Sequence, residues 1–328
     1  MRSLRVLFLL CAAVLSNSLH AWNATGHMTV AEVAYADLHE EHPEILVKII
    51  TLLKQHHPDL KHLMAEVPSG LSPEDQDHYL FILAATWPDM VKTMGGKERN
   101  SEDHRPWHYV DFPFNLGDTK GPEPDITTYA PGSDPKNALQ ALDKCLGELK
   151  DTTTSDEQRA RSVCWLLHLV GDIHQPLHCA SCFSTTFPHD TYPTEKPFKN
   201  GDVGGNDYYL DDKKGARFRA ELHAFWDDIL GDSKDLSHTK KEAAALMQQH
   251  PRTAFNDALK IDDYRKWAHA SFEIVTDKEG NGYYYKGRML AMLQKPESGY
   301  HDKAKDIASS QISLAGYRLA DELLASFK

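Results

Sequence analysis

Beyond its N-terminal residues, the sequence lacks any apolar run long enough to span a bilayer. It also lacks an apolar C-terminal tail of the kind that directs lipid anchoring. Positive charge is scarce, since 36 Lys and Arg stand against 48 Asp and Glu, for a formal charge of −12. These absences predict a soluble protein without a membrane anchor, and they argue against a broad basic face for nucleic acid.

Several familiar catalytic motifs are missing as well. No phosphate-binding Walker loop, no G-x-S-x-G elbow and no G-x-G-x-x-G turn occurs. The segment 39–42 (HEEH) is one residue too short for the H-E-x-x-H zinc motif, so its two histidines cannot share a helical face. Hydride transfer, P-loop phosphoryl transfer and serine hydrolysis are therefore not expected.

The first 21 residues have the layout of a secretory signal peptide. Arg2 and Arg5 precede a short apolar run, and small or polar residues lead to Ala21. Cleavage after Ala21 would leave residues 22–328 as a single catalytic domain, with a formal charge of −12 − 2 = −14. We expect a secreted or periplasmic protein, and the Asn23 sequon is a weak glycosylation signal because it lies so close to the new terminus.

The sequence has only five cysteines, and Cys11 would leave with the signal peptide. Four cysteines in an exported chain are compatible with two disulfides, and three pairings remain open. The remaining four are Cys145, Cys164, Cys179 and Cys182.

Apolar residues recur three and four positions apart through most of the chain, whereas alternating runs are confined to short pieces near Trp107–Phe112 and Tyr208–Leu210. With 41% hydrophobic residues, this predicts an all-α, mainly helical single domain. The long irregular stretches Asp111–Ser133 and Ser181–Lys214 are expected to be functional loops. The predicted helices are His27–Leu38, Pro43–Gln55, Asp75–Ala85, Pro135–Leu149, Asp156–Ile173, Phe218–Leu230, Lys240–His250, Lys260–Val275 and His301–Phe327.

Histidine is abundant, with 19 residues, and two of its positions repeat one pattern. His168 and Asp172 are four residues apart, as are His223 and Asp227, so each pair lies on one helical face. Pro176 favours an extended conformation for Gln175, so the first helix should end there and His178 should return toward that face from a loop. Leu, Phe and Trp flank both pairs, and an unpaired carboxylate in such apolar surroundings would be costly.

One His/Asp pair alone is more often a hydrogen-bonded pair than a metal site. Two such pairs, together with Asp89 in a W-P-D segment and His108 in W-H-Y-V-D, favour a metal centre. Zinc suits mixed histidine and carboxylate ligands best, and manganese or iron suits them less well.

These motifs, in this order, resemble the zinc-dependent single-strand nucleases and 3′-nucleotidases of the nuclease P-one and S-one type, which are distantly related to bacterial zinc phospholipase C. The resemblance runs from Trp22 to Asp227 and continues in a closing helix near residues 314–320. It implies a phospholipase C/nuclease-like fold. The motifs that carry it are W-x4-H, W-x-D, H-Y-V-D, H-x3-D-x5-H, G-D-x-G-G-N at residues 201–206, and H-x3-D.

The resemblance implies three zinc ions. The second ion would be held by His178, His223 and Asp227, and the third by the amino and carbonyl groups of Trp22, by His27 and by a bridging Asp172. A free α-amine, unlike an amide nitrogen, can give a lone pair to a metal, so signal cleavage would complete the site. The first ion would be held by Asp89, His108, His168 and Asp172.

The implied activity is hydrolysis of single-stranded RNA and DNA to 5′-phosphate products, with removal of 3′-phosphate from nucleotides, by a monomer. Asp172 would bridge the catalytic metals, and Lys92 would stabilise the transition state or be merely solvated. Tyr109 would stack on a base while Asp111 reads the base edge. Asn206 would donate to phosphate or support the turn at its glycines.

Two other functions remain open at this point. A zinc phospholipase C would carry H-x3-E where this sequence has His223 and Asp227 in H-x3-D, and it would have a longer spacing between Trp22 and His27. A secreted metal-binding protein without turnover would leave Lys92 and Tyr109 without a role.

Overall fold

The computed structural model describes residues 22–94, 101–185, 198–210 and 221–328, so the predicted signal peptide lies outside the described residues. The mainly helical prediction is confirmed. Three 3-10 turns cover Arg105–His108, Pro176–Cys179 and Arg252–Phe255. The strands are β1 (Phe112–Asn115), β2 (Ala180–Phe183), β3 (Tyr284–Tyr285) and β4 (Arg288–Met289). The helices are α1 (Ala24–Glu41), α2 (Pro43–His56), α3 (Leu60–Glu66), α4 (Pro73–Ala84), α5 (Trp87–Thr93), α6 (Ala138–Lys150), α7 (Asp156–Asp172), α8 (Leu222–Asp227), α9 (Leu236–Gln249), α10 (Asn256–Leu259), α11 (Tyr264–Thr276) and α12 (Tyr300–Phe327).

Side-chain caps fix where the main helices begin. Asn23 accepts a hydrogen bond from a first-turn amide of α1, and Ser155 does the same for α7. Each cap satisfies an amide that the helix itself leaves without a partner. Asp156 and Glu157 add negative charge to the first turn of α7, where it is favourable for the helix dipole.

Helix α7 lies at the centre of the helical packing, in contact with α1, α2, α5, α6 and α12. Every residue from Ser162 to Asp172 is buried, which explains why its apolar residues form a continuous run rather than one stripe. The last turn of α7 carries His168 and Asp172. The central helix therefore places a histidine and a carboxylate inside the core.

A parallel pair of short strands joins segments that are far apart in the sequence. β1 pairs with β2 in register, and just before it the Val110 amide donates to the His178 carbonyl at 2.8 Å. The predicted strand character at Trp107–Phe112 is wrong for most of its length, because the 3-10 turn Arg105–His108 occupies it and the strand begins only at Phe112. The pairing brings the segments that contain His108 and His178 side by side.

Several predicted boundaries need correction. Of Phe218–Leu230, the described helix is α8, and residues 218–220 lie outside the described residues. The predicted helix Lys260–Val275 starts later, after Asp263, whose side chain caps α11. Helices α3, α5 and α10 were not predicted, because segments of 7, 7 and 4 residues are too short to show periodicity.

The two predicted loops are irregular where the structure describes them, apart from the strand residues at their starts. Residues 186–197 and 211–214 of the second loop lie outside the described residues. The strand character at Tyr208–Leu210 reduces to one antiparallel bridge between Tyr209 and Glu221. Among the described residues, no helix combines the length and apolar character needed to cross a membrane.

The prediction of disulfides is wrong for the described cysteines, because all four are free and buried. A chain of this size has a core large enough to be stable without cross-links, and the thiols pack there as small apolar side chains. Burial raises the pKa of Cys145 to about 12, which keeps this side chain protonated and unreactive. The four are Cys145, Cys164, Cys179 and Cys182.

Candidate metal centre

The end of α7 and the turn before β1 form a first group of potential metal ligands. Nδ1 of His108 lies 2.8 Å from Nε2 of His168, and Oδ2 of Asp172 lies 3.3 Å from both nitrogens. Oδ1 of Asp89, in the first turn of α5, is 3.9 Å from each histidine. The four residues predicted to hold one ion are therefore brought together.

A second group comes from the turn after α7 and from α8. Nε2 of His178 lies 3.0 Å from Nε2 of His223, and Oδ2 of Asp227 lies 3.4 Å from the latter nitrogen. As predicted, the residue before Pro176 is extended, with ψ of 112° at Gln175, so the chain turns back. His178 reaches the site from a 3-10 turn rather than from an irregular loop.

The third predicted group shares Asp172 with the first. Nε2 of His27 lies 3.3 Å from Oδ1 of Asp172, on the other side of the carboxylate from His108 and His168. Ligand atoms of His27, Asp89 and His168 also converge. Asp172 therefore lies between His27 on one side and His108 and His168 on the other.

Two glycines allow this crowding, and the sequence analysis did not single them out. A Cβ at Gly171 would lie 2.9 Å from Nδ1 of His27, and a Cβ at Gly26 would lie 2.6 Å from Cβ of Trp22. Gly171 also faces the ring of Trp22, which is fully buried. Trp22 and His27 can therefore pack against the last turn of α7 only because these two positions lack side chains.

Backbone carbonyls fix the orientation of three of the histidine rings. Nδ1 of His168 binds Ala85 O at 2.8 Å, Nδ1 of His178 binds His108 O at 2.5 Å, and Nδ1 of His223 binds Gly204 O at 2.7 Å. A carbonyl can only accept, so each Nδ1 must carry the proton. In a neutral ring the proton-free Nε2 then points into the centre, as in metal-binding histidines.

These contacts are unfavourable unless a cation is present. His178 and His223 aim two proton-free nitrogens at each other across 3.0 Å. Both carboxylate oxygens of Asp172 are buried without a hydrogen-bond partner. Lone pairs and a carboxylate that converge in a dry core repel each other, whereas a shared cation would satisfy all of them. The residues present therefore fit a metal ion.

The pKa shifts of the histidines and carboxyl groups also favour a bound cation. Burial lowers the pKa of His108 and His178 well below the ordinary histidine value, so both rings stay neutral. Burial and neighbouring carboxylates raise the pKa of Asp172 and Asp227 well above the ordinary range. Neutral histidines are ready to ligate, and the two carboxyl groups need a positive partner in order to ionise.

The predicted substrate-binding residues lie near the metal centre. Nζ of Lys92 donates to Oδ1 of Asp89 at 2.6 Å, and only 8% of its side chain is exposed. Tyr109 and Asp111 follow His108, and burial together with Asp202 raises the pKa of Asp111 to about 7. These contacts place Lys92 beside the first group of potential metal ligands.

Asn206 is used within its own turn. Its amide donates to the carbonyl of Val203 at 2.7 Å. This contact fits support of the turn rather than donation to phosphate.

Comparison with known proteins agrees with the geometry. The profile of the S1/P1 Nuclease family matches residues 22–328. The chain belongs to the S1/P1 nuclease family. A curated relative, Nuclease S1 of Aspergillus oryzae (strain ATCC 42149 / RIB 40), is 24% identical over 273 residues, which cover 77% of this chain and 82% of the relative. Nucleases of this family are metal-dependent hydrolases of phosphate esters, so nucleic acid is the substrate class.

Gln175 is a site residue that the sequence analysis treated only as a helix boundary. Its side chain is fully buried, its Nε2 donates to Oδ1 of Asp227 at 2.7 Å, and its Oε1 accepts from Leu177 N at 2.6 Å. A partner of this kind orients a ligating carboxylate. The sequence offered one signal for Gln175, which is its position between Asp172 and His178 in the H-x3-D-x5-H motif.

Replacing Gln175 by Leu should weaken metal binding and activity about 10- to 100-fold, because Asp227 loses the donor that orients it. Chelator competition measures the affinity, and release of acid-soluble nucleotides measures the activity. Gln248→Leu, at an exposed position of α9, is the matched control and should change neither. Wild-type metal affinity in Gln175→Leu would contradict this role.

Proposed function

We propose that the chain is a secreted, monomeric zinc nuclease with one catalytic domain. It would hydrolyse single-stranded RNA and DNA to products with 5′-phosphates and remove 3′-phosphate from nucleotides. The observation that carries the proposal is the convergence of His178, His223 and Asp227, with the Nε2 atoms of the two histidines 3.0 Å apart, in a chain of a nuclease family.

The donor chemistry favours zinc. Imidazole nitrogens and carboxylate oxygens in small groups are typical zinc ligands, whereas magnesium and calcium prefer oxygen alone. Asp172 would bridge two ions, and the α-amine and carbonyl of Trp22 would complete the third group. We assign the ions to Asp89, His108, His168 and Asp172, to His178, His223 and Asp227, and to Trp22, His27 and Asp172.

Zinc, when bound, supplies Lewis-acid stabilisation of phosphate charge and a water of lowered pKa. The side chains of the protein would orient the substrate and add a further positive charge. The ammonium of Lys92, held beside Asp89, would stabilise negative charge that develops on phosphate. Tyr109 would stack on one base and Asp111 would accept hydrogen bonds from the edge of that base, which favours unpaired strands.

An assay across substrates tests the proposed function. The zinc-loaded protein should cleave denatured DNA and RNA and release phosphate from 3′-AMP but not from 5′-AMP. Duplex of the same sequence should react about 10²-fold more slowly, because extruding a base costs a few kcal/mol. Turnover of a phosphatidylcholine emulsion without nucleotide release would favour the phospholipase alternative, and no turnover of any substrate would favour a metal-binding protein.

A further inference from the structure

The glycine-rich segment 201–206 has an unusual backbone. Gly201, Gly204 and Gly205 have φ values of 86°, 63° and 84°, and Val203 has φ of 55°. A left-handed conformation is strained for a β-branched residue such as Val203. Such a segment keeps its shape only if the surrounding structure holds it.

Asp202 is the side chain that holds this segment. It is fully buried, and its Oδ1 accepts from the Cys182 amide at 2.8 Å while its Oδ2 accepts from the Tyr283 hydroxyl at 2.8 Å. It also accepts from the backbone of Gly205 and, at 3.4 Å, from the hydroxyl of Ser181. One carboxylate thus ties the segment to β2 and to the residue before β3.

The held segment in turn orients a metal ligand. The Gly204 carbonyl accepts from Nδ1 of His223 at 2.7 Å, and the Gly205 carbonyl accepts from the backbone amide of His223 at 3.3 Å. A Cβ at Gly204 would lie 2.6 Å from the Leu177 carbonyl, next to His178. The segment therefore packs against His223 and against the residue that precedes His178.

We propose that Asp202 is a positioning residue for the metal ion held by His178, His223 and Asp227, and that it acts by holding the Gly204 carbonyl against Nδ1 of His223. The inference rests on the metal centre of the proposed function. It adds a role for the aspartate of the G-D-x-G-G-N motif, a residue that need not touch metal or substrate.

Metal binding by Asp202→Asn tests this role without any measurement of hydrolysis. Asn keeps the shape and one acceptor oxygen but loses the other acceptor, so the metal-free variant should fold and melt a few degrees below the wild type. The affinity of one of the three ions should fall about 10- to 100-fold, as for other partners of metal ligands, while the other two ions bind as before. Chelator competition gives the affinities, and the visible absorption of the Co²⁺-substituted protein reports the changed ligand geometry.

The controls separate positioning from a general loss of structure. Asp207→Asn, at the exposed position that directly follows the segment, should bind all ions with wild-type affinity. Unchanged affinities in Asp202→Asn, or equal weakening of all ions together with a lower metal-free melting temperature, would overturn the proposal.

A second variant and a measurement on the wild-type protein complete the test. If Asp202→Asn does not fold, Tyr283→Phe removes a single hydrogen bond to the same carboxylate, and it should weaken the same ion several-fold. Unchanged binding in Tyr283→Phe would then overturn the inference. A wild-type protein that binds no ion at the second group would contradict the proposed function itself, and this inference with it.

Discussion

Replacement of Asp172 by Asn should lower the rate of phosphodiester hydrolysis by at least about 10³-fold, because a metal ion supplies several kcal/mol of transition-state stabilisation and this carboxylate would serve two of the proposed ions. Its Oδ1 lies 3.3 Å from His27, and its Oδ2 lies 3.3 Å from His108 and from His168. Initial rates on denatured DNA at saturating zinc measure the effect.

The fold should survive this substitution. Asp172 is fully buried, its oxygens lack hydrogen-bond partners, and burial raises its pKa, so an ionised carboxylate destabilises the metal-free protein. The metal-free variant should therefore melt at or above the wild-type temperature. Asp156→Asn, at the exposed start of the same helix, should keep wild-type activity. A rate within tenfold of wild type in Asp172→Asn would refute the bridging role.

Chelation should abolish activity and remove a large share of the thermal stability. A ligand present at a thousandfold excess over its Kd stabilises the folded state by about 4 kcal/mol. Since about 1 kcal/mol corresponds to roughly 2 to 4 °C, the melting temperature should fall by about 8 to 16 °C. Differential scanning calorimetry with and without EDTA measures the difference, and added zinc should restore both properties.

Stability should depend on pH differently in the chelated and zinc-loaded forms from pH 6.5 to 8. In the chelated protein the raised pKa of Asp172 and Asp227 makes the folded state bind more protons than the unfolded state, so stability falls as pH rises. The slope is at most about 1.4 kcal/mol per pH unit for each carboxylate. The buried histidines have lowered pKa values, so they make stability depend on pH only below about 6.5, the pKa of histidine in the unfolded chain. That range lies outside this window.

In the zinc-loaded protein this fall in stability should be absent. Metal binding requires deprotonated ligands, so zinc affinity and the stability that it adds rise or stay level with pH. Parallel slopes in the two forms, or full activity after exhaustive chelation, would show that the buried carboxylates are not metal ligands.

Local spacing was enough to predict part of the site. His168 with Asp172, and His223 with Asp227, lie four residues apart on α7 and α8, and the structure confirms both pairs. Pro176 predicted the end of α7 to within a few residues, because a residue before proline avoids helical geometry.

Residues that meet through tertiary contacts could not be placed by spacing. His27, Asp89 and His108 converge on the last turn of α7 from three separate elements, and the resemblance to a known family, not their spacing, assigned them to particular ions. The same limit applies to β1 and β2, whose parallel pairing depends on a partner strand far along the sequence. Asp202 and Gln175 act through neighbouring groups, and neither has a chemical signature of its own in the sequence.

Metal content of the purified protein, measured together with its N-terminal sequence, tests the central claim most directly. A protein that begins at Trp22 should contain three zinc ions per chain. A form that retains Ala21 should contain two, because an amide nitrogen cannot replace the α-amine in the third group. Fewer than three zinc ions in the form that begins at Trp22, or three in both forms, would contradict the account.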